Sequence, residues 1–365
     1  MKQSNTQRPK LEAAASALGG LLRDYWRANW WHKLVVCAVV LAGLGLGTMY
    51  GIARWYLATE SEPQILGTSF IAPYAQSLGE DPQAALDGII NQVGVRHFRL
   101  VSYWDQLEPS PGVYDFSGLD WQFQKIEAVH GTITLSVGLR QPRWPECHMP
   151  TWAAGESESV WQPQLIQFMT AVITHYKTSP SLQSYQVENE FFLHGFGQCT
   201  NYDRSRLVSE FNLVKKLDPQ HTAIIARSNN ALGVPLGQPT PDEFGISIYK
   251  RVWSGIFHRY IEYPFPAWYY AFVAGVQKLV TGKDMIVHEL QAEAWPPDGE
   301  SITQASLAEQ NKSFDAARFT ARVQYGKATG MRQIYLWGSE YWYYRLTVLH
   351  DPSLWSVAKQ AFSQQ

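Results

Sequence analysis

Two short acidic segments contain the residues whose types and spacing could do chemistry. In "SLQSYQVENEFFLHG", residues 181–195, Asn189 and Glu190 follow an apolar rise, and in "GKDMIVHELQAEAW" Glu289 follows the apolar run Met285–Val287. Two carboxyl groups facing each other across a pocket can hydrolyse a glycosidic bond, because one protonates the leaving oxygen while the other traps the anomeric carbon. A separation of about 5–5.5 Å favours the retaining reaction. For either glutamate, a salt bridge at the rim of the fold is the alternative.

The elements that must position this pair are short apolar runs alternating with helical patterns from residue 64 onward. Strands are predicted at Ile65–Ile71, Val95–Val101, Thr132–Gly138, Gln183–Glu190, Thr222–Arg227, Phe244–Tyr249, Met285–Glu289 and Gln333–Trp337. Helices are predicted at Pro82–Val93, Leu119–His130, Val160–Lys177, Arg204–Leu217, Ala267–Val280, Ile302–Thr329 and Pro352–Phe362. This alternation predicts an α/β fold, a (β/α)₈ TIM barrel over residues 64–365. A doubly wound open sheet is the alternative, but no glycine fingerprint follows the first strand.

A barrel of this kind has its active site at the carboxyl ends of its strands. Glu190 then lies at the end of the fourth strand and Glu289 at the end of the seventh, so both reach the mouth. Glu188, two residues before Glu190, is predicted to share its strand face one layer deeper, in a buried network. For Glu293 a solvated loop charge is favoured over a contact with a sugar hydroxyl.

The N-terminal part of the chain carries a membrane signal. Leu34–Ala53 has no charged residue over 20 positions, enough for a helix to span a hydrocarbon core of about 30 Å. Basic residues precede it at Lys2, Arg8, Lys10, Arg23, Arg27 and Lys33, while Arg54 alone follows closely. The positive-inside rule therefore predicts residues 1–33 in the cytoplasm, a transmembrane anchor at 34–53 and a linker at 54–63, with the barrel outside.

Aromatic residues flank the span like the belts of a bilayer interface, at Trp26, Trp30, Trp31, Trp55 and Tyr56. An interfacial helix or a mobile tail could precede the span. A cleavable signal peptide is the alternative to an anchor, but its charged region would be unusually long and "YLATESE" is a poor cleavage site. Of the cysteines, Cys147 and Cys199 fall in the exported part, in loops that a barrel places side by side, and a disulfide between them is favoured.

Composition excludes some partners and cofactors. The net charge is −2 and no basic tract occurs, so no nucleic-acid partner is predicted. No His-x-His pair is present, and in "HELQA" Ala292 stands where a zinc helix motif needs its second histidine, so no metal and no other cofactor is predicted. Aromatic residues make up 14% of the chain, a content that suits a cleft stacking on sugar rings. Trp144, with Arg140 and Arg143 in the loop after the third strand, is a candidate wall of that cleft.

One segment carries a family resemblance. "VRHFRLVSYWDQLEPSPGVYDFSGLDWQFQKIE", residues 95–127, resembles the second strand and loop of the clan A retaining glycoside hydrolases, which include the cellulase-like family 5 and family 39 enzymes. The resemblance covers about residues 64–345. It implies Glu190 as acid/base and Glu289 as nucleophile. It implies further substrate-binding or supporting roles for Asn189 at the sugar 2-hydroxyl, Arg99 beneath the nucleophile, Tyr249 beside it and Trp337 as the floor of the cleaved-sugar subsite.

The resemblance identifies a clan and leaves the family open, because Phe191 follows the acid/base where many family 5 enzymes have Pro. The predicted function is a membrane-anchored retaining glycosidase acting on β-linked glycans outside the cytoplasm. A transglycosylase would use the same residues, and a glycan-binding or scaffold protein on an inactive barrel is a further alternative. The aromatic stretch at residues 263–280 is predicted to pack on the barrel as a helix. A minority hypothesis lets it touch the membrane surface or line a groove for a lipid-linked glycan.

Overall fold

Eight parallel strands close into a barrel within the part of the chain that the structure describes. The structure is a computed structural model and describes residues 29–60, 62–199, 201–228 and 237–363, with 16, 19–20 and 23–25. The barrel strands are β1 (Ile65–Ser69), β2 (His97–Val101), β3 (Thr132–Val137), β4 (Leu182–Val187), β5 (Thr222–Ser228), β6 (Glu243–Ile248), β7 (Asp284–Gln291) and β8 (Gln333–Trp337). Each strand pairs with its sequence neighbours, and β8 pairs with β1. The predicted (β/α)₈ barrel is confirmed, and the open sheet is excluded.

The helices surround the barrel close to their predicted positions. They span Ala72–Ser77, Pro82–Gly88 with a π turn at Ile89–Val93, Trp104–Leu107, Ser117–Glu127, Glu158–Tyr176, Arg204–Leu217, Ala267–Thr281, Leu307–Ser313, Ala316–Lys327, Ser339–Thr347 and Ser353–Phe362. The single helix predicted at Ile302–Thr329 is wrong. The segment divides at Phe314 and Asp315: the extended backbone of Phe314 ends one helix, and the side chain of Asp315 caps the next by accepting from the Arg318 N–H. The stretch after β5 lies mostly outside the described residues.

An antiparallel hairpin that the sequence analysis missed stands at the mouth, directly after β6. Its strands are Arg251–Ser254 and Arg259–Glu262. The side chain of Gln291, the last residue of β7, accepts hydrogen bonds from the backbone N–H groups of Lys250 (2.9 Å) and Arg251 (3.0 Å). These hydrogen bonds fix the base of the hairpin to the end of β7.

A β-bulge in β7 decides which way the strand presents its side chains. Ile246 of β6 is opposite Val287, but the next residue, Ser247, is opposite Glu289, so His288 is the extra residue. Strict alternation would put Glu289 on the same side as Val287, which belongs to the main apolar core. The bulge turns Glu289 toward the barrel interior instead. Gly245 makes room for it, because a Cβ there would lie 2.9 Å from the His288 ring.

The N-terminal helix runs over Trp30–Thr59 and by length and composition could cross a membrane. It is longer than the predicted span and includes residues 54–59, which were predicted as linker. The segment before it, with most of the predicted cytoplasmic region, lies outside the described residues. The last turns of the helix pack on the helix Ala267–Thr281 of the barrel. Gly275 allows this contact, since a Cβ there would lie 2.9 Å from Ile52.

Candidate active site

Glu190 and Glu289 line the same cleft, of about 580 Å³, at the mouth of the barrel. Glu289 reaches it through the bulge in β7. Glu190 reaches it because the chain leaves β4 in two left-handed residues, Glu188 (φ +59°) and Glu190 (φ +43°). Such backbone costs a non-glycine residue about 1–3 kcal/mol and persists where its surroundings over-determine it. The two strand ends thus converge on one pocket, as the sequence analysis expected.

Glu188 provides that restraint. Its carboxylate accepts the backbone N–H groups of Leu139 (2.7 Å) and Arg140 (3.1 Å) and forms an ion pair with Arg206 at 2.8 Å. Because Arg206 lies on the helix after β4, Glu188 faces the helical layer. The prediction that Glu188 shares the strand face of Glu190 is therefore wrong, since β4 ends at Val187 and strand alternation stops there. The predicted buried network is confirmed, but it ties the β3 and β4 ends together.

Glu289 is surrounded by donors. Its Oε1 accepts from Arg99 Nη1 at 2.7 Å, and its Oε2 accepts from the hydroxyl of Tyr249 at 2.7 Å. Burial and the charge of Glu289 raise the pKa of Tyr249 well above its usual value, so this phenol stays a donor. His288 lies 3.9 Å from Glu289, but burial holds its pKa well below the ordinary range and the ring is neutral. Arg99 is therefore the ionic partner of Glu289, and the hydrogen bonds from Arg99 and Tyr249 fix the orientation of its carboxyl group.

Glu190 has the opposite surroundings. Burial, followed by the charges of Glu289 and Glu146, raises the pKa of its carboxyl group to about 8. Its Oε1 accepts a hydrogen bond from the hydroxyl of Ser247, which partly offsets this rise. Ser247 stands opposite Glu289 on the neighbouring strand. Glu190 therefore holds a proton at neutral pH while Glu289 is paired with Arg99, and acid-assisted glycosidic cleavage requires one carboxyl group in the acid form.

Asn189 belongs to a network that sequence reasoning found only in part. Its Oδ1 accepts from Arg99 Nη2 at 2.9 Å and Gln186 Nε2 at 3.0 Å, while its Nδ2 donates to Glu146 Oε2 at 3.0 Å. Glu146 lines the cleft, and burial raises its pKa to about 7. Sequence analysis missed this residue because it lies in an irregular loop rather than at a strand end. Its one local signal is the adjacent cysteine.

The favoured disulfide is present. Cys147 in the loop after β3 is bonded to Cys199 in the loop after β4, over a sequence separation of 52 residues. It holds the loop that carries Glu146 against the loop that follows Glu190. Arg140 lies 3.5 Å from Glu146 within the loop after β3, and its Nη1 donates to the backbone carbonyl of Phe196 in the loop after β4 at 3.0 Å. The cross-link thus fixes one wall of the cleft.

Trp337 lines the cleft as expected, and two charged side chains contact its indole ring. Its indole N–H donates to Glu293 at 2.9 Å, and the guanidinium of Arg143 lies 4.5 Å from its ring centroid. Arg143 also forms an ion pair with Glu293 at 3.0 Å and stacks on Tyr74 at 3.2 Å. The prediction of Glu293 as a solvated loop charge is wrong, because this pair holds it in the cleft wall. Arg143, Glu293 and Trp337 together form this wall of the cleft.

Trp144 marks the outer part of the same cleft. Its side chain is 58% exposed and packs edge-on against Phe196, with ring centroids 6.0 Å apart. Such a ring offers an exposed apolar face for stacking. No cluster of three or more His, Cys, Asp or Glu side chains able to hold a metal ion occurs among the residues the structure describes.

Comparisons with known proteins agree with this geometry. The family model described as beta-galactosidase, glycoside hydrolase family 42, matches residues 87–218, less than half of the chain. That match covers β2 to β4, with Arg99, Asn189 and Glu190. No curated protein matches the sequence significantly.

The fold resembles solved glycoside hydrolases at low sequence identity. An endo-beta-1,4-xylanase of family 10 from Gloeophyllum trabeum is 16% identical, with a TM-score of 0.54, covering 84% of this chain and 98% of the xylanase. A family 5 subfamily 18 protein from Streptomyces cattleya, solved with GlcNAc, is 11% identical with a TM-score of 0.52 and coverages of 76% and 70%. A β-galactosidase from Halorubrum lacusprofundi is 13% identical with a TM-score of 0.52 and coverages of 82% and 58%.

The chain resembles the clan A retaining glycoside hydrolases. This confirms the resemblance predicted from residues 95–127 and supports an O-glycosyl hydrolase. The matched proteins belong to families 10, 5 and 42, so the comparisons leave the family of this chain open, as the sequence analysis did.

Proposed function

We propose that this protein is a membrane-anchored retaining glycoside hydrolase that cleaves β-linked glycans outside the cytoplasm. Glu190 acts as acid and base, and Glu289 acts as nucleophile. One observation carries the proposal: two glutamates from separate strand ends share a cleft, and one is raised to a pKa of about 8 while the other is bound by an arginine. A barrel retained only to bind sugars has no need for this electrostatic division.

In the first step Glu289 attacks the anomeric carbon while Glu190 transfers its proton to the departing glycosidic oxygen. The bond from carbon to that oxygen breaks as the bond from carbon to the Glu289 oxygen forms. Arg99 and Tyr249 orient the attacking carboxylate, and its charge falls as the ester forms. That loss of charge removes one of the causes that raise the pKa of Glu190.

In the second step Glu190, now a carboxylate, takes a proton from water. The water oxygen bonds to the anomeric carbon, the ester bond breaks, and Glu289 returns to its ionised form. Asn189 lines the cleft with Glu190 and Glu289, and its amide is suited to a sugar hydroxyl there. Its two hydrogen bonds to Arg99 and Glu146 fix the orientation of the amide.

The N-terminal helix supports the anchored form over a cleaved signal peptide. Its side chains are mostly exposed through residue 48, as for a helix surrounded by lipid, whereas Ala53 and Tyr56 are buried against the barrel. Leu57 fills the space beside Gly330, where a Cβ would lie 2.5 Å from it. Cleavage of the helix would expose this apolar contact, so a permanent anchor is the better fit.

The test is turnover by the full chain in detergent or lipid, screened against aryl glycosides and polysaccharides. Glu289→Ala is the inactive control, and Glu158→Ala, an exposed glutamate on an outer helix, is the matched control that keeps activity. Proton NMR of the first product should show retention of the anomeric configuration. Glycan binding without turnover of any bound sugar would instead favour the binding protein, and transfer to added sugar acceptors in preference to water would favour the transglycosylase.

A further inference from the structure

The contacts of the N-terminal helix fix its direction relative to the barrel. Tyr50 packs edge-on against Trp268, with ring centroids 5.7 Å apart, and Glu60 forms an ion pair with Lys278 at 2.6 Å. The helix Ala267–Thr281 runs antiparallel to the strands, starting at the mouth and ending beside Asp284, the first residue of β7. The N-terminal helix therefore runs alongside it from the mouth toward the opposite face.

This direction places the apolar span on the mouth side of the barrel. Residues 37–48 are exposed and precede Tyr50. They therefore project beyond the mouth end of the helix Ala267–Thr281, which is called the docking helix below. The stretch from Trp31 to Tyr50 rises about 28 Å, close to a hydrocarbon core of about 30 Å. Aromatic rings then stand at both interfaces, with Trp268 of the barrel joining Tyr50 at the outer one. A bilayer around the span must lie against the mouth.

The hairpin after β6 gives an independent observation on the same side. Its tip carries Ile256, 86% exposed, and Phe257, 63% exposed, next to the basic residue Arg259. In water such a tip is unfavourable, whereas apolar side chains beside cations suit a lipid interface. Two other residues of the hairpin, Val252 and Trp253, line the cleft. The apolar tip and the cleft wall are thus parts of one element.

We propose that the cleft faces the membrane in which the chain is anchored, with the tip Ile256–Phe257 inserted in the lipid interface, and that its substrate is a glycan carried by a membrane lipid. The proposal rests on the membrane-anchored glycosidase proposed above and names its substrate class. The open cleft holds the sugars, and Trp144 at its outer part stacks on the portion nearer the lipid.

The physical advantage is confinement. An enzyme and a substrate held in the same leaflet meet at a high effective concentration and in a restricted orientation. A long soluble polysaccharide would have to enter the narrow space between mouth and bilayer. The geometry therefore favours short glycans that the membrane itself presents.

Orientation is tested with a fluorophore on single cysteines of the full chain in phosphatidylcholine vesicles that carry a headgroup-linked nitroxide quencher. Cys37→Ser removes the free thiol of the span. The probe is attached at Phe257→Cys or at the matched control Val280→Cys, 60% exposed at the far end of the docking helix. Strong quenching at 257 and little at 280 is expected. Equal quenching, or stronger quenching at 280, would overturn the orientation.

Substrate class is tested with the sugar that the aryl glycoside screen selects, presented as a long-chain alkyl glycoside in the same vesicles. Replacing Ile256 and Phe257 by Asp should lower turnover of the vesicle-borne glycoside about tenfold or more, because the inserted apolar area is lost. Soluble aryl glycoside turnover should be unchanged. The paired control, Leu279→Asp with Val280→Asp, should affect neither.

The two arms separate the possible failures. No turnover of any glycoside, with quenching at 257 only, would remove the glycosidase and keep the orientation. Normal aryl glycoside turnover, with no preference for the vesicle-borne form and no effect of the tip variant, would keep the glycosidase and overturn the lipid-borne substrate.

Discussion

The ends of β4 and β7 present the same residue type, glutamate, to one cleft but in different surroundings. At β7, Glu289 receives an arginine and a tyrosine hydroxyl, both 2.7 Å away. At β4, the one side-chain hydrogen bond that Glu190 receives from the described residues comes from the Ser247 hydroxyl, and two other carboxyl groups lie near it, so burial and repulsion keep its proton in place. The chemical role proposed for each glutamate therefore depends on the side chains around it, and replacing one of those side chains should change that role.

The largest effect on kcat is expected from replacing Glu289, at the end of β7. Glu289→Ala removes the carboxylate that we propose as the nucleophile and should lower kcat by about 10⁴-fold or more, as loss of a nucleophile does elsewhere. Azide can occupy the vacated space and attack in its place, so adding it should restore turnover and yield a glycosyl azide of inverted configuration. Residual activity within about tenfold of wild type would assign the nucleophile elsewhere.

For Glu190, at the end of β4, the expected loss of kcat/KM depends on the leaving group of the substrate. Glu190→Gln keeps the shape but has no proton to transfer, so kcat/KM on alkyl glycosides should fall about 10²–10⁴-fold. Aryl glycosides whose leaving group needs no protonation should lose much less in the first step. A steep Brønsted plot for the variant, compared with a shallow one for wild type, measures this. Equal losses on both substrate types would contradict an acid role.

Replacing Arg99 tests whether its ion pair with Glu289 causes the difference between the two glutamates. Arg99→Met leaves the Glu289 charge buried without its partner, which costs about 3–5 kcal/mol of stability and lowers kcat/KM by about 10²-fold or more. Arg99→Lys retains the charge but not the four hydrogen bonds to Ser69, Gln186, Asn189 and Glu289. The kcat/KM of Arg99→Lys should therefore lie between those of the wild type and Arg99→Met. Denaturant unfolding reports the stability, with the exposed Arg332→Met as control. An unchanged unfolding midpoint for Arg99→Met would mean that Glu289 does not depend on this pair.

The smallest effect is expected in the pH profile. The acid form of Glu190 persists up to its pKa of about 8, so kcat/KM of the wild type should decline above that pH. The Ser247 hydroxyl stabilises the ionised form, and its removal in Ser247→Ala should move this alkaline limb to higher pH. Rates on the acid side should change by less than about tenfold. A limb that moves to lower pH would mean that Ser247 stabilises the protonated form.

Local sequence patterns were enough for much of the fold. Apolar runs between helical patterns located all eight barrel strands to within a few residues, because strands buried in a parallel barrel read as continuous apolar segments. The long helix predicted at Ile302–Thr329 failed at Asp315, where an N-cap side chain outweighs apolar periodicity. The mouth hairpin was missed because its strands are four residues each and hold few apolar residues.

By itself the sequence determined the barrel, the apolar N-terminal span and the presence of two glutamates at strand ends, since each of these depends on residues close together along the chain. Only the tertiary structure decided how those glutamates differ. The bulge at His288 depends on the space left by Gly245 of the neighbouring strand. The contacts of Glu146 with Asn189 and of Arg143 with Glu293 join residues 43 and 150 positions apart. The direction in which the span leaves the barrel likewise depends on packing between residues 50–60 and 268–278, because such contacts have no local pattern.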